Sequence, residues 1–535
     1  PAVQCAGVLQ LQHVFTKLGT CIMPSNPRPI DQINAKAGFS RDGTQLDNNS
    51  FIDGQWCRFQ RGRPKKMGGY KAISDNLTGI VRGSFVYTCN GLNFVYGFSG
   101  NKAFVSVTNQ TASSSVAVSS TLPSLAAEDS YSFSVDSIFD STGSGAAKML
   151  VHPARNLLDI ADETNTNVYV ADVGASPATF TKVVDEDANE VMVSGGVVVL
   201  QPYVFVYGNN GLIKNSVANN PFGWKISAAS EANEVNVAGS KIVKGLPLRG
   251  GASSPSGLFW SLDSVIKVSR SGAEFRYDVL TSDSSVLSPQ SVIEYDGVYY
   301  WIGVDRFLTY NGTVKEVPNQ QNLNWFFDNL NYAQRAKVWA TKNTRYGEIW
   351  WFFPFGNALE CTHAIIYNIR ENCWYDTQHA RSAGFPARVF KHPVSFGNQA
   401  NDGKFAVYAD ELGKNAVQQG QVSSIASHFE TCDFGYPTGG AAGEQPTGQD
   451  YWTRLTRIEP DFIQTGDLTM YVRGREFAQG PVTVSEAHVL EPGTERVDLR
   501  EQRRQVTLRF ESNVVDGDYF MGRVLLHTEQ GDIRS

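Results

Sequence analysis

The sequence predicts an all-β protein: an irregular β-propeller of about six blades, with an extended N-terminal arm and a C-terminal β-sandwich-like domain. Three observations predict this. Charged residues are 19% and aromatics 12% of 535 residues, with 49 glycines, a balance that suits short strands and tight turns rather than Ala-, Glu-, Lys- and Leu-rich helical bundles. Runs of alternating β-branched and aromatic residues keep meeting Gly or Asn turns. Successive hairpin sets begin about 40–70 residues apart, close to one four-stranded blade.

Residues 1–80 read as the arm. Its first 50 residues carry Pro24, Pro27, Pro29 and the polar stretch RDGTQLDNNS, with little capacity for a core of their own. A basic segment follows, QWCRFQRGRPKKMGGYKA (55–72), holding Arg58, Arg61, Arg63, Lys65, Lys66 and Lys71 and no acidic residue. With Trp56, Phe59 and Tyr70 interleaved, it reads as a docking surface for an acidic partner or for phosphate, the aromatics burying while cations pair at the rim. The alternative is a solvated hairpin turn.

Residues 81–425 form the propeller-like domain. Its clearest stretch is SVIEYDGVYYWIGVDRFLTYNGTVKEV (291–317), where Asp296-Gly297, Val304-Asp305 and Asn311-Gly312 punctuate three strands. Trp325, Phe326, Leu330 and Ala333 fall at helical spacing, predicting a helix over 319–339. Residues 426–450, rich in Gly, Ser, Thr and Pro, read as a linker. Residues 451–535 read as a C-terminal β domain, with alternating Leu468, Met470, Val472 and Val506, Leu508, Phe510. This last segment has 11 Arg, no Lys, and 14 Asp and Glu. Arg500, Arg503, Arg504 and Arg509 are therefore candidates for planar Arg–carboxylate pairing between subunits.

Catalytic and metal motifs do not assemble. STGSGAAK (141–148) lacks the first Gly and the final Ser or Thr of a phosphate loop, and GASSPSG (251–257) is out of register for a nucleophile elbow. His152, His363, His379 and His392 are isolated, and the cluster Asp185, Glu186, Asp187 lacks the Ca²⁺-loop spacing. Seven scattered cysteines without a CxxC pair favour reduced, buried thiols, including Cys361 and Cys373. A secretory peptide and a membrane span are not expected, and a net charge of −7 argues against general nucleic-acid coating. The expectation is a non-enzymatic protein without cofactor or metal.

Three segments bring a resemblance. FIDGQWCRFQRGRPKKMGGYKAI (51–73), NYAQRAKVWATKNTRYGEIWWFFP (331–354) and RRQVTLRFESNVVDGDYFMGRVLLHTEQGD (503–532) resemble tail hub or nozzle proteins of short-tailed bacteriophages, including the phage stabilisation protein, and occur in that family's order. The resemblance implies a structural virion protein of the tail, made in the host cytoplasm and assembled as a homohexamer beneath the adaptor ring of the head–tail connector. It implies a conduit for DNA, passed without sequence-specific binding, and a platform for tail fibres or spikes. Arg58, Arg61, Arg63, Lys65 and Lys66 would then contact the adaptor or a neighbouring copy. Six copies at −7 each carry about −42, which would let DNA slide past. The alternative is a receptor- or host-polysaccharide-binding tail protein.

Overall fold

The computed structural model describes residues 30–44, 48–89, 92–100, 102–108, 113–118, 122, 132–141, 147–154, 165–173, 179–248, 255–435, 451–477 and 479–533. Among the described residues, seven sheets follow one another along the middle of the chain, all antiparallel except the seventh, where Ala416–Gln418 pairs parallel with Tyr70–Leu77. Their first strands are Val81–Cys89, Ser132–Phe139, Gly196–Leu200, Ile242–Pro247, Ile293–Tyr295, Trp339–Asn343 and Ala383–Phe385. Local chemistry makes them. In the fifth sheet, Asp296 and Gly297 sit at φ 49° and 82°, the left-handed pair that reverses a two-residue hairpin.

The sheets form a ring. Neighbouring first strands pack on one another from the first sheet to the fourth and from the fifth to the seventh. The fourth and fifth are joined by Tyr299, whose hydroxyl donates to Pro247 O at 2.5 Å. Ala383–Phe385 then returns to Val81–Cys89, with Ser84 Oγ donating to Gly384 O at 3.1 Å. A cavity of about 200 Å³ on the axis is lined from every sector, by Gly83, Ser134, Val197, Lys244, Gln290, Ala340 and Gly384 among others.

The described residues form seven blades where the spacing predicts about six. The seventh borrows its fourth strand: Tyr70–Leu77, from before the first blade, pairs antiparallel with Phe405–Asp410. Ile73 and Leu77 are buried there against Val394, Val407 and Ala409. Tyr70–Leu77 therefore belongs to the propeller, not to an arm ending at residue 80.

Apart from the short pair Thr166–Asn167 and Met192–Val193, which packs with the propeller, the remaining strands form a second body, and the expected boundaries at 425 and 450 do not bound it. Ile30–Gln32 pairs with Leu525–Ile533; Asp53–Gln55 pairs with Ser427–Glu430, which pairs in turn with Gln505–Ser512. Arg63–Lys66 bridges Asp518–Met521 and Cys57–Gln60. N-terminal Phe39, Phe51 and Phe59 share one core with Phe429, Phe510 and Tyr519. Arm and C-terminal segment are halves of one β body, since their strands pair and their apolar side chains share one core. Ser427–Phe434, expected inside a linker, is core: Phe429 is fully buried and Phe434 nearly so.

The helix expected over 319–339 is shorter. Leu323–Asn329 is α-helical and Tyr332–Lys337 is 3₁₀. Between them Leu330 turns extended and bridges to Phe355, so the Trp-rich strand overrides helical spacing. Among the described residues, no helix is long and apolar enough to cross a membrane.

Candidate functional site

The basic segment folds as a hairpin. Cys57–Gln60 and Arg63–Lys66 pair around Arg61-Gly62, both at positive φ (54° and 71°). The Glu371 carboxylate accepts both turn amides, from Arg61 and Gly62, at 2.8 Å each. A distant acidic side chain thus holds a turn that costs Arg61 local strain.

Most of the expected docking residues face inward. Arg58 is fully buried. Its guanidinium donates to Glu348 at 2.8 and 3.1 Å and to Glu411 at 2.9 Å, and it lies 3.7 Å from the Tyr346 ring centroid. Burial opposes its charge, but the Glu348 and Glu411 carboxylates outweigh that and hold Arg58 firmly protonated. Glu348 also accepts from the Tyr375 hydroxyl at 2.7 Å and from Trp350 Nε1 at 2.9 Å. Lys66 is buried and donates to Ser512 O and Oγ at 3.2 Å, with burial pushing its ammonium down to about 8. Trp56 and Phe59 are core residues. These four are therefore not rim contacts for a partner: two charges lying between buried aromatics needed internal partners.

Arg63 is half-buried and donates to Ile33 O at 3.0 Å. Lys65 is half-buried, near the Tyr346 and Phe520 rings. Arg61 alone among the five cations is exposed.

The C-terminal arginines divide similarly. Arg509 reaches Glu511 at 2.6 Å and Asp53 at 3.3 Å, so it joins the two halves of the β body within one chain. Arg503 pairs with Glu501 at 2.7 Å. Both carboxylates are internal, which corrects their expected role between subunits. Arg504 is half-buried, while Arg500 is exposed.

What the hairpin does is join three distant segments. It contacts 331–354 through Arg58, Glu348 and Tyr346, and 503–532 through Lys66, Ser512, Lys65 and Phe520. Asp53 adds a second charged node with Arg41, His428 and Arg509. Burial opposes ionisation of Asp53, but hydrogen bonding to His428 and the Arg41 charge hold its carboxyl far below the usual range.

Glu348 and Glu411 escaped the sequence reading. Glu348 had a signal: it opens the apolar run IWWFFPF, where a carboxylate needs a buried cation.

The residues set aside as catalytic or metal candidates fall elsewhere. Cys361 and Cys373 are free and buried. Asp185 accepts from the amides of Asp187 and Asn189, as in an ordinary Asx turn. Residues 142–146 and 251–254, inside the two glycine-rich stretches, lie outside the described residues. Among the described residues, no group of three or more His, Cys, Asp or Glu is placed to hold a metal ion.

No protein-family model and no curated protein matches the chain. Among solved structures, it is similar to BBS1N in a complex with ARL6DN, at 12% identity and a TM-score of 0.37, over 64% of this chain and 97% of that one. It is also similar to a putative exported protein of Bacteroides fragilis, at 10% identity and a TM-score of 0.27, over 52% of this chain and 94% of that one. Likeness at this level carries no argument about function, and the fold stands on the sheets themselves.

Proposed function

We propose that the chain is a structural protein of a short bacteriophage tail: a nozzle or hub, present as a ring of six copies beneath the head–tail adaptor. One observation carries this reading. The three segments that resemble such proteins lie well over a hundred residues apart from one another, yet they pack into one buried node around Arg58, Glu348 and Lys66. Chance likenesses have no reason to converge in space. A joint that fixes a propeller to a second β body does, because its parts must match one another.

In this reading the propeller is the outer platform for fibres or spikes, and the β body builds the ring around the DNA path. The cations left to meet a partner are those with exposed side chains, Arg61 and Arg500.

Two experiments test it. Cryo-electron microscopy of particles containing this chain is expected to show six coaxial copies around a channel. Peripheral trimers would move the reading to host-surface binding, and absence from any particle would overturn the virion role. The Arg61→Asn, Arg500→Gln double variant keeps the left-handed turn, so it should melt like the parent. Losing two rim charges worth about 1 kcal/mol each should cut its incorporation into tails about tenfold or more. Unchanged incorporation would remove both residues from the interface.

A further inference from the structure

The cavity on the propeller axis has a built charge pattern that the tail reading does not use. It begins in the backbone of two first strands. A bulge inserts one extra residue into a ladder and re-aims the side chains around it. Arg82 is the extra residue in Val81–Cys89, between the pairs Val81↔Ser99 and Gly83↔Phe98. Val243 is the extra residue in Ile242–Pro247, directly before Lys244. Both bulges set a cation at the axis, and Arg82 and Lys244 line the same cavity.

The cations there are not equivalent. Arg82 and Lys337 are both taken up by Glu360, at 2.7 and 3.0 Å. Lys244 is different: among the described residues no hydrogen-bond acceptor reaches its ammonium, and the Asp136 carboxylate is the charge that acts on it. Asp136 is itself tied back, accepting the amides of Ser137 and Val199 at 2.8 Å each.

A second cavity, about 320 Å³, adjoins the first and shares Lys244, Leu246, Pro247 and Ala340. It adds Lys342 and Arg388 against Glu294. Together five cations face Asp136 and Glu294, and counting Glu360 still leaves the axis positive in a chain of net charge −7. Low-dielectric walls focus such a field onto whatever enters. The inner cavity, about 200 Å³, has room for several waters and so for a small organic ligand.

We infer that this axial cavity binds a small ligand bearing an oxyanion, a carboxylate or a phosphate on a molecule no larger than a monosaccharide, with Lys244 as the group that holds the anion. The inference is independent of whether the chain builds a ring. An ammonium with no internal acceptor gains a charge-assisted hydrogen bond from such a ligand, and the half-buried positions of Lys244 and Asp136 leave the site reachable from water.

Calorimetric titration of the full chain with inorganic phosphate, with D-glucuronate and with chloride as control tests it. Saturable one-to-one binding of phosphate or glucuronate, but not chloride, is expected, and which of the two binds names the oxyanion. Lys244→Met should weaken it about tenfold or more, while Lys244→Arg should retain it. Asp136→Asn removes a competing negative charge and should tighten it several-fold, a change that a merely structural Lys244–Asp136 pair does not predict. Absence of saturable binding of either probe up to about 10 mM, or equal binding by the parent, Lys244→Met and Asp136→Asn proteins, would overturn the inference.

Discussion

Arg58 shows how one residue type carries opposite meanings. A cation in a run of cations suggests a solvated face, yet this one has no exposure and two carboxylates at hydrogen-bond distance. Removing one member of a buried pair strands the other, at a cost of about 3–5 kcal/mol. Arg58→Met should therefore lower the apparent melting temperature sharply, and the double variant Arg58→Met, Glu348→Gln should recover part of the loss. Equal melting of Arg58→Met and the parent would remove the node from the stability account. Nothing local to residues 51–73 announces this burial, because both acidic partners come from segments hundreds of residues later in the chain.

Two buried histidines make acid stability testable. Burial pushes His152 down to about 4. Burial and the Arg381 charge, against Asp410, push His379 down to about 4 as well. Both stay neutral in the folded chain while the unfolded chain protonates near 6.5. Below that pH the unfolded state binds more protons, so stability falls on acidification, by about 2 kcal/mol per histidine at pH 5. Asp433 works the other way: burial raises its carboxyl to about 6, so acidification relieves its buried charge. His379→Gln should accordingly lose about 2 kcal/mol less than the parent between pH 7.5 and pH 5 in urea unfolding; an identical loss would contradict a neutral His379.

At the scale of elements, Tyr70–Leu77 decides the propeller. Its strand chemistry was legible, but its partner was not, because pairing register across more than 300 residues leaves no local trace. The turns were legible for the opposite reason: Asp296-Gly297 and Asn311-Gly312 are punctuated by glycines at positive φ, a local demand that a sequence states outright. A fragment of residues 81–425, the unit that composition and spacing suggest, lacks that strand. Its seventh sheet would expose the ladder edge of Phe405–Asp410, an invitation to aggregate. The fragment should melt without cooperativity or precipitate, whereas a fragment beginning at residue 30 and running through 533 should not; a soluble, cooperatively melting 81–425 would mean that the borrowed strand is dispensable.

At the scale of the whole molecule, the all-β class and the propeller rhythm were legible, and the division into bodies was not. Arm, linker and terminal domain looked separable because each has its own composition: proline and polar residues, then glycine, then arginine. In space they interleave, since Phe51, Phe429 and Phe510 bury against one another and apolar contact takes no account of chain order. The proposed ring role follows this architecture. A propeller and a second body locked by charged nodes make a rigid lever suited to holding an appendage at a fixed angle, whereas a flexible linker would let it swing.

The closure of the β body also has a consequence in time. Ile30–Gln32 leaves the ribosome nearly 500 residues ahead of its partner, Leu525–Ile533. At about 5–20 residues per second, the first strand waits on the order of 25–100 s for its neighbour. Until then the apolar faces of Phe39, Phe51 and Phe59 have no permanent cover, while the blades between them assemble from neighbours in sequence. Folding of this chain is therefore expected to finish only once Leu525–Ile533 has emerged, with a dependence on chaperones that a slower ribosome would deepen.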